Sequence, residues 1–222
     1  MKILMALSGG VDSALAVSLL KKQGHEILGA MMITWDSTLP IPPILGGCVG
    51  PKEDDIKSAK AVADYVGIPF ISINLAQSFK DIVIKNFKQE YALGRTPNPC
   101  LICNQYLKFG LLAEEVKKQG FVFDKFATGH YCRISYDEKT KRYQLKKAKD
   151  EKKDQSYFLY RLSQEQLSKI IFPLSELTKT EVRNLAEEIS LPVARKQDSQ
   201  DFYGGDYSSS SSSLDSAFTN SV

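Results

Sequence analysis

"ALSGGVDS", residues 6–13, decides how the chain folds. It follows a short apolar run at residues 2–7 and precedes Val11, Leu15 and Leu19 at helical spacing, with Gly24 as the stop. The pattern is strand, glycine turn, helix, which sets the turn at the carboxyl edge of a parallel sheet, where such sheets bind ligands. Gly9 and Gly10 let the backbone approach an anion. The N–H groups of the loop and of the helix start, with the Ser8 and Ser13 hydroxyls, supply donors. Ala6, Leu7, Ser8, Gly9, Gly10, Val11, Asp12 and Ser13 therefore form a candidate phosphate cradle, with Asp12 an oxygen ligand of the kind Mg²⁺ takes. The loop lacks the lysine of a Walker loop and the third glycine of a dinucleotide fingerprint, which disfavours γ-phosphate transfer and NAD.

Outward from this loop, strands and helices alternate. Strands are expected at 27–34, 70–75 and about 125–128, and helices at 54–66, about 77–91 and 104–118. That order predicts an α/β fold with a doubly wound parallel sheet. After Gly129, "YCRISYDEKTKRYQLKKA" alternates around a polar turn and reads as a hairpin. Helices follow near 163–171 and 179–189, the second opened by Thr178 and Glu181 in capping-box spacing. The expected organisation is a nucleotide-type domain at 1–135, a hairpin-plus-helices extension at 136–207, and a serine-rich tail at 208–222 with no assigned fold.

The 222 residues are 43% hydrophobic, enough for a proper core, and no apolar run approaches the roughly 18 residues of a membrane span. The expected location is the cytoplasm. There the cysteines (48, 100, 103 and 132) are reduced, metal-bound or catalytic sooner than structural disulfides. A net charge of +3 does not by itself establish a nucleic-acid partner. "KTKRYQLKKAKDEKK", residues 139–153, concentrates eight Lys or Arg against two acids, which suits phosphate contacts if they face one way, or a solvated hairpin.

SGGVDS at the first strand–helix junction resembles the PP-loop of the N-type ATP pyrophosphatases. "GRTPNPCLICNQYLKFG" (94–110), "ATGHYCR" (127–133), "KKDQSYFLYRL" (152–162) and "DSQDF" (198–202) follow in order, and residues 1 to about 207 are together similar to the tRNA-specific 2-thiouridylases. The resemblance implies a HUP-like, adenine nucleotide alpha hydrolase-like PP-loop domain. It also implies ATP-dependent replacement of the C2 oxygen of a wobble uridine by sulfur, with ATP and Mg²⁺ at residues 8–13. Met32 and Gly129 match positions that contact ATP, and Cys103 matches the catalytic cysteine, expected beside a helix start. Asn98, Pro99 and Cys100 match the stretch that meets the target base, while Lys153, Asp154 and Gln155 match a tRNA-contacting segment. The implied partners are tRNA and a sulfur donor protein or inorganic sulfide, with no membrane. Central and C-terminal domains usual to the family are expected to be absent after the serine run.

The sequence departs from the family pattern at Cys100, where an aspartate usually stands, and at Tyr203, where a second catalytic cysteine usually follows "SQD". Cys48, in a loop after the second strand, is placed to meet the Cys100–Cys103 pair. Three readings stay open: a [4Fe–4S] cluster on Cys48, Cys100 and Cys103, persulfide chemistry on Cys103 resolved by Cys100 or Cys48, or structural cysteines. Zinc would want a fourth ligand, with His25 and His130 the histidines on offer. Cys132 reads as packing. Trp35 reads as a core aromatic or a cap on the adenine, His130 as a loop histidine or a phosphate contact, and Lys108 and Arg95 as solvated charges or RNA contacts. The rival functions are a PP-loop ligase that adenylates a small molecule for ammonia, and a noncatalytic nucleic-acid-binding module.

Overall fold

The chain, seen in a computed structural model, is described over residues 1–37 and 52–198. Cys48 and the residues from Ser199 onward, including Gln200, Asp201 and Tyr203, lie outside these.

The first strand, β1 (Lys2–Ala6), buries Ile3, Leu4 and Met5 completely, the two-sided burial of a central parallel strand. Helix α1 (Val11–Lys22) follows the glycine turn, with Asp12 in its first turn and Lys21 and Lys22 in its last, each sign at the end its dipole favours. Next come β2 (Glu26–Ile33), α2 (Glu53–Val66) and β3 (Phe70–Asn74). A continuous helical stretch then runs through α3 (Ala76–Ser78), a π-helical segment Phe79–Ile84, and α4 (Lys85–Ala92). A second comprises α5 (Pro99–Ile102), a π-helical segment Cys103–Leu111, and α6 (Leu112–Lys118). Strand β4 (Lys125–Ala127) returns to the sheet, and β5 (Arg133–Asp137) and β6 (Arg142–Lys146) form the expected antiparallel hairpin. A 3₁₀ turn (Ser156–Leu159), α7 (Gln164–Lys169), β7 (Ile170–Ile171) and α8 (Lys179–Glu188) complete the described chain.

The five-stranded sheet has the order β3-β2-β1-β4-β7, every pair parallel. From β1 the chain winds outward through β2 and β3, then crosses back to β4, so the winding reverses between β1 and β4 and a crevice opens above their carboxyl ends. One face of the sheet is covered by α1, α2 and α8, whose Leu15, Val62 and Val182 share a core with Ile3 and Met5. On the other face, Leu112 and Val116 of α6, Leu159 and Leu167 pack on Leu4, Leu28 and Phe126. The sheet and core thus take in residues well beyond 135.

Two elements differ from the sequence expectation. The residues expected to end a helix near 171 instead form β7, because Phe126 and Ala127 offer an open sheet edge that Ile170 and Ile171 complete. The helix expected at 104 begins at Pro99, which suits a first helical position because it has no N–H to lose. Cys100 therefore occupies the first turn and Cys103 lies one turn further in, so the positive end of the helix is at Cys100.

Candidate functional site

The crevice holds a cavity of about 420 Å³. Its floor is the glycine turn, with Ala6, Leu7, Ser8, Gly10, Val11, Asp12 and Ser13 all lining it. Ser13 Oγ accepts from the Ser8 N–H at 3.2 Å and donates to the Gly10 carbonyl at 3.1 Å, which draws the turn closed around the helix start. Gly9 does not line the cavity; its φ is +76° and a methyl group there would stand 2.6 Å from the Asp55 carbonyl oxygen, so only glycine passes beneath α2. Met32 lines the β2 side and Gly129 the β4 side. Lys108 and Leu112 close the top, and Lys153, Gln155, Gln197 and Asp198 form the rim.

Asp12 is held by two groups distant in sequence. Tyr131 donates its hydroxyl to Oδ1 at 2.7 Å, and Lys179 Nζ bridges both carboxylate oxygens at 2.7 and 2.8 Å. Burial first, then the Asp12 charge, pushes the Tyr131 hydroxyl far above its ordinary range, so it stays a donor. Lys179 also reaches Asp198 Oδ1 at 2.8 Å, where Arg183 Nη2 arrives at 2.6 Å, and Lys153 Nζ donates to Asp198 Oδ2 at 3.1 Å. Partial burial pushes the Asp198 carboxyl up, yet the hydrogen bonds and charges of Lys179 and Lys153 outweigh it and hold it at about 2. A further pair, Lys196 with Asp55 at 3.0 Å and Ser58 at 3.1 Å, braces the outer wall.

The segment carrying Lys153, Asp154 and Gln155 is locked to the end of β4. The Gln155 side chain accepts from the Tyr131 N–H at 3.0 Å, and the Gln155 N–H donates back to the Tyr131 carbonyl at 2.8 Å. Asp154 turns away from the cavity, accepting from the Ala148 N–H and the Ser156 hydroxyl. His130 lines the cavity between Phe109 and Phe172 and shares a 2.7 Å hydrogen bond with Thr128. Burial, then the Lys108 charge, lowers its pKa well below the ordinary value, so it is a neutral ring and not a cationic phosphate contact.

Asn98, Pro99, Cys100 and Cys103 do not line the cavity. They sit on the helix whose next turns carry Lys108 into it. Cys100 and Cys103 are half-buried and three apart, so they share one helix face. The wide turns from Cys103 are braced by Gln166, which donates to the carbonyls of Gln105 and Phe109, and by Asn104, which donates to the Phe158 carbonyl. Cys132 is fully buried, and burial pushes its thiol far up, which suits inert packing. Trp35 packs on the Phe79 cluster, and Arg95 pairs with Glu90 through two nitrogens.

Among the described residues no group of three or more His, Cys, Asp or Glu is gathered for a metal ion. Of the three cysteines of the [4Fe–4S] reading, Cys100 and Cys103 lie among the described residues and Cys48 lies outside them. For Mg²⁺ the described residues supply Asp12, whose oxygens face an ammonium in this arrangement. No helix among them is long and apolar enough to cross a membrane.

The sequence profile of the "tRNA methyl transferase HUP domain" matches residues 1–203. The chain is 54% identical over 209 residues to the tRNA-specific 2-thiouridylase MnmA of Endomicrobium trichonymphae, covering 93% of this chain and 58% of that protein. With the tRNA-specific 2-thiouridylase MnmA of Treponema denticola it shares 48% over 203 residues, covering 90% of this chain and 53% of that one. The chain thus spans a little over half the length of these curated relatives. A solved 4-thiouridine synthetase, in complex with RNA and bound ATP, shares the fold at a TM-score of 0.55 and 19% identity, over 88% of this chain and 42% of that one. The chain belongs to the tRNA methyl transferase HUP-domain family, with tRNA-specific 2-thiouridylases among its relatives.

Proposed function

We propose that the chain is the ATP-using part of a cytoplasmic tRNA uridine 2-sulfurtransferase. One observation carries the reading: the cavity at the winding reversal is floored by the glycine turn and rimmed by Lys153 and Gln155, which supports a nucleotide and a tRNA substrate meeting at one opening. A ring carbonyl oxygen at C2 is a poor leaving group, and ATP converts it into a good one. The uridine O2 attacks the α-phosphorus, pyrophosphate leaves, and the base becomes an adenylate. A sulfur nucleophile then attacks C2 and AMP departs.

Residues 8–13 hold the phosphates through backbone N–H groups and serine hydroxyls. Asp12 is the residue that would hold a magnesium ion here, and the ion would supply positive charge against the phosphates. For sulfur delivery, the shared helix face of Cys100 and Cys103 supports the persulfide reading. A donor protein that carries a persulfide passes its outer sulfur to the Cys103 thiolate and leaves as a thiolate. The terminal sulfur on Cys103 bonds to C2 as AMP leaves, and the Cys100 thiolate then attacks Cys103 Sγ, which breaks the S–S bond to the base and leaves thiocarbonyl and a Cys100–Cys103 disulfide. An external thiol reductant resets the pair. Cys100 suits the attacking role because a thiolate in the first helical turn is favoured by the dipole. The target base would leave its stack to enter.

The test is mass spectrometry of nucleosides from tRNA treated with ATP, a persulfide-carrying donor and a thiol reductant. Cys103→Ser is expected to abolish 2-thiouridine while tRNA-dependent pyrophosphate release continues. Thiolation that survives in Cys103→Ser would remove the sulfur role of that residue, and pyrophosphate release indifferent to tRNA would point to a different acceptor.

A further inference from the structure

Lys179 is only 12% exposed, yet it meets two carboxylates belonging to opposite ends of the described chain. A buried ammonium is stable only when matched, and Asp12 alone would match it. The surplus lies around Asp198, where one carboxylate answers three cations: Lys153, Lys179 and Arg183. Lys153 and Asp198 line the cavity, Lys179 reaches the glycine turn through Asp12, and Arg183 stands behind Asp198. With Asp198 set aside, the one carboxylate paired with any of these three cations among the described residues is Asp12, through Lys179, while Arg183 Nη1 keeps the Ala194 and Lys196 carbonyls; the balance is a net positive surface of the kind that binds several phosphate oxygens at once. The low pKa of Asp198 keeps it ionised at neutral pH, so it is a true anion in that place.

We propose that Lys153, Lys179 and Arg183 form the subsite for the two terminal phosphates of the nucleotide, which leave as pyrophosphate, and that Asp198 is the internal anion filling it beforehand. This rests on the reading of residues 8–13 as a phosphate cradle. Arriving phosphate oxygens take over the contacts of Asp198, Lys179 swings from carboxylate to phosphate, and Asp12 becomes free for a cation. Release of pyrophosphate lets Asp198 return, which competes against rebinding of the product.

The test is isothermal titration of the full chain with inorganic pyrophosphate at fixed ionic strength. Asp198→Asn is expected to bind about tenfold more tightly, the scale of one charge-assisted contact no longer opposed. Lys179→Met is expected to bind at least about tenfold more weakly, and Asp198→Asn should give no gain in the Lys179→Met background. Should Lys179→Met fail to fold, Arg183→Gln, on a more exposed side chain, is expected to weaken binding in the same direction and to shrink the gain. Glu26→Gln, at the opposite edge of the sheet, serves as the control for lost charge. The proposal is overturned if Asp198→Asn leaves affinity unchanged or lowers it, if its gain survives in both cation variants, or if Glu26→Gln reproduces it. The reading of function fails separately: a chain that binds pyrophosphate in this pattern but never modifies tRNA keeps the subsite and loses the thiolation.

Discussion

At residue 129 a single methyl group decides whether the site can exist. A Cβ there would stand 2.7 Å from the Ser13 nitrogen and 2.8 Å from the Asp12 carbonyl carbon, both backbone atoms that cannot swing aside. Gly129→Ala is therefore expected to push β4 from the start of α1, costing about 1–3 kcal/mol of stability and at least about tenfold in nucleotide affinity. Urea unfolding and ATP titration read the two effects, and unchanged affinity would contradict the close approach. The glycine turn itself was legible in the sequence because its chemistry is local: Ser8, Gly9, Gly10 and Ser13 meet within six residues. Tyr131 and Lys179 were not, since they reach Asp12 across 119 and 167 residues, and nothing near either of them marks a carboxylate as the partner. Their signal was positional only: a tyrosine just past a strand end and a lysine opening a helix.

At the scale of an element, α8 shows how a local rule fixes a distant geometry. Thr178 accepts from the Glu181 N–H at 3.2 Å, and Glu181 accepts in return from the Thr178 N–H at 2.6 Å, the capping box expected from the sequence. The box orients the first turn and hence Lys179, so Thr178→Ala is expected to cost about 1 kcal/mol and to weaken nucleotide binding with it. The Thr178 N–H and then Lys149 lower the Glu181 carboxyl from 4.5 to about 2. A depressed carboxyl stabilises the fold above its unfolded value and loses that contribution as pH falls toward its folded one. The gap in urea midpoint between the native chain and Glu181→Gln should thus be full above about pH 4.5 and narrow toward pH 2; a gap independent of pH over that window would show that the box contributes no proton linkage. Helix starts such as this one were readable because capping chemistry is short-range. β7 was not: Ile170 and Ile171 follow α7 without a turn signal, and their state depends on the open edge that β4 provides. The early helix start at Pro99 was missed for another reason, because "TPNP" reads as a loop until one notes that proline suits a first helical position.

Over the whole molecule, the alternation of strands and helices carried the doubly wound sheet, since its central strands β1 and β2 are apolar runs buried on both sides. What it could not carry was which side residues 136–198 would take, because β7 and α8 are recruited by contacts with β4 and α1. The eight basic residues between 139 and 153 are all exposed, and Lys146 and Lys147 stand at the end of β6. If this surface meets tRNA phosphates, reversing both charges (Lys146→Glu with Lys147→Glu) is expected to lower tRNA affinity and reduce the slope of log affinity against log salt by roughly one per lost contact. A filter-binding salt series measures it, and an unaltered slope would assign the hairpin to solvent. The tie between Lys179 and Asp12 also has a meaning for synthesis. A nascent chain that has reached residue 135 holds Asp12 and Tyr131 but not yet Lys153, Lys179 or Arg183. The Asp12–Lys179 tie is therefore made only after α8 has been synthesised and docks against α1.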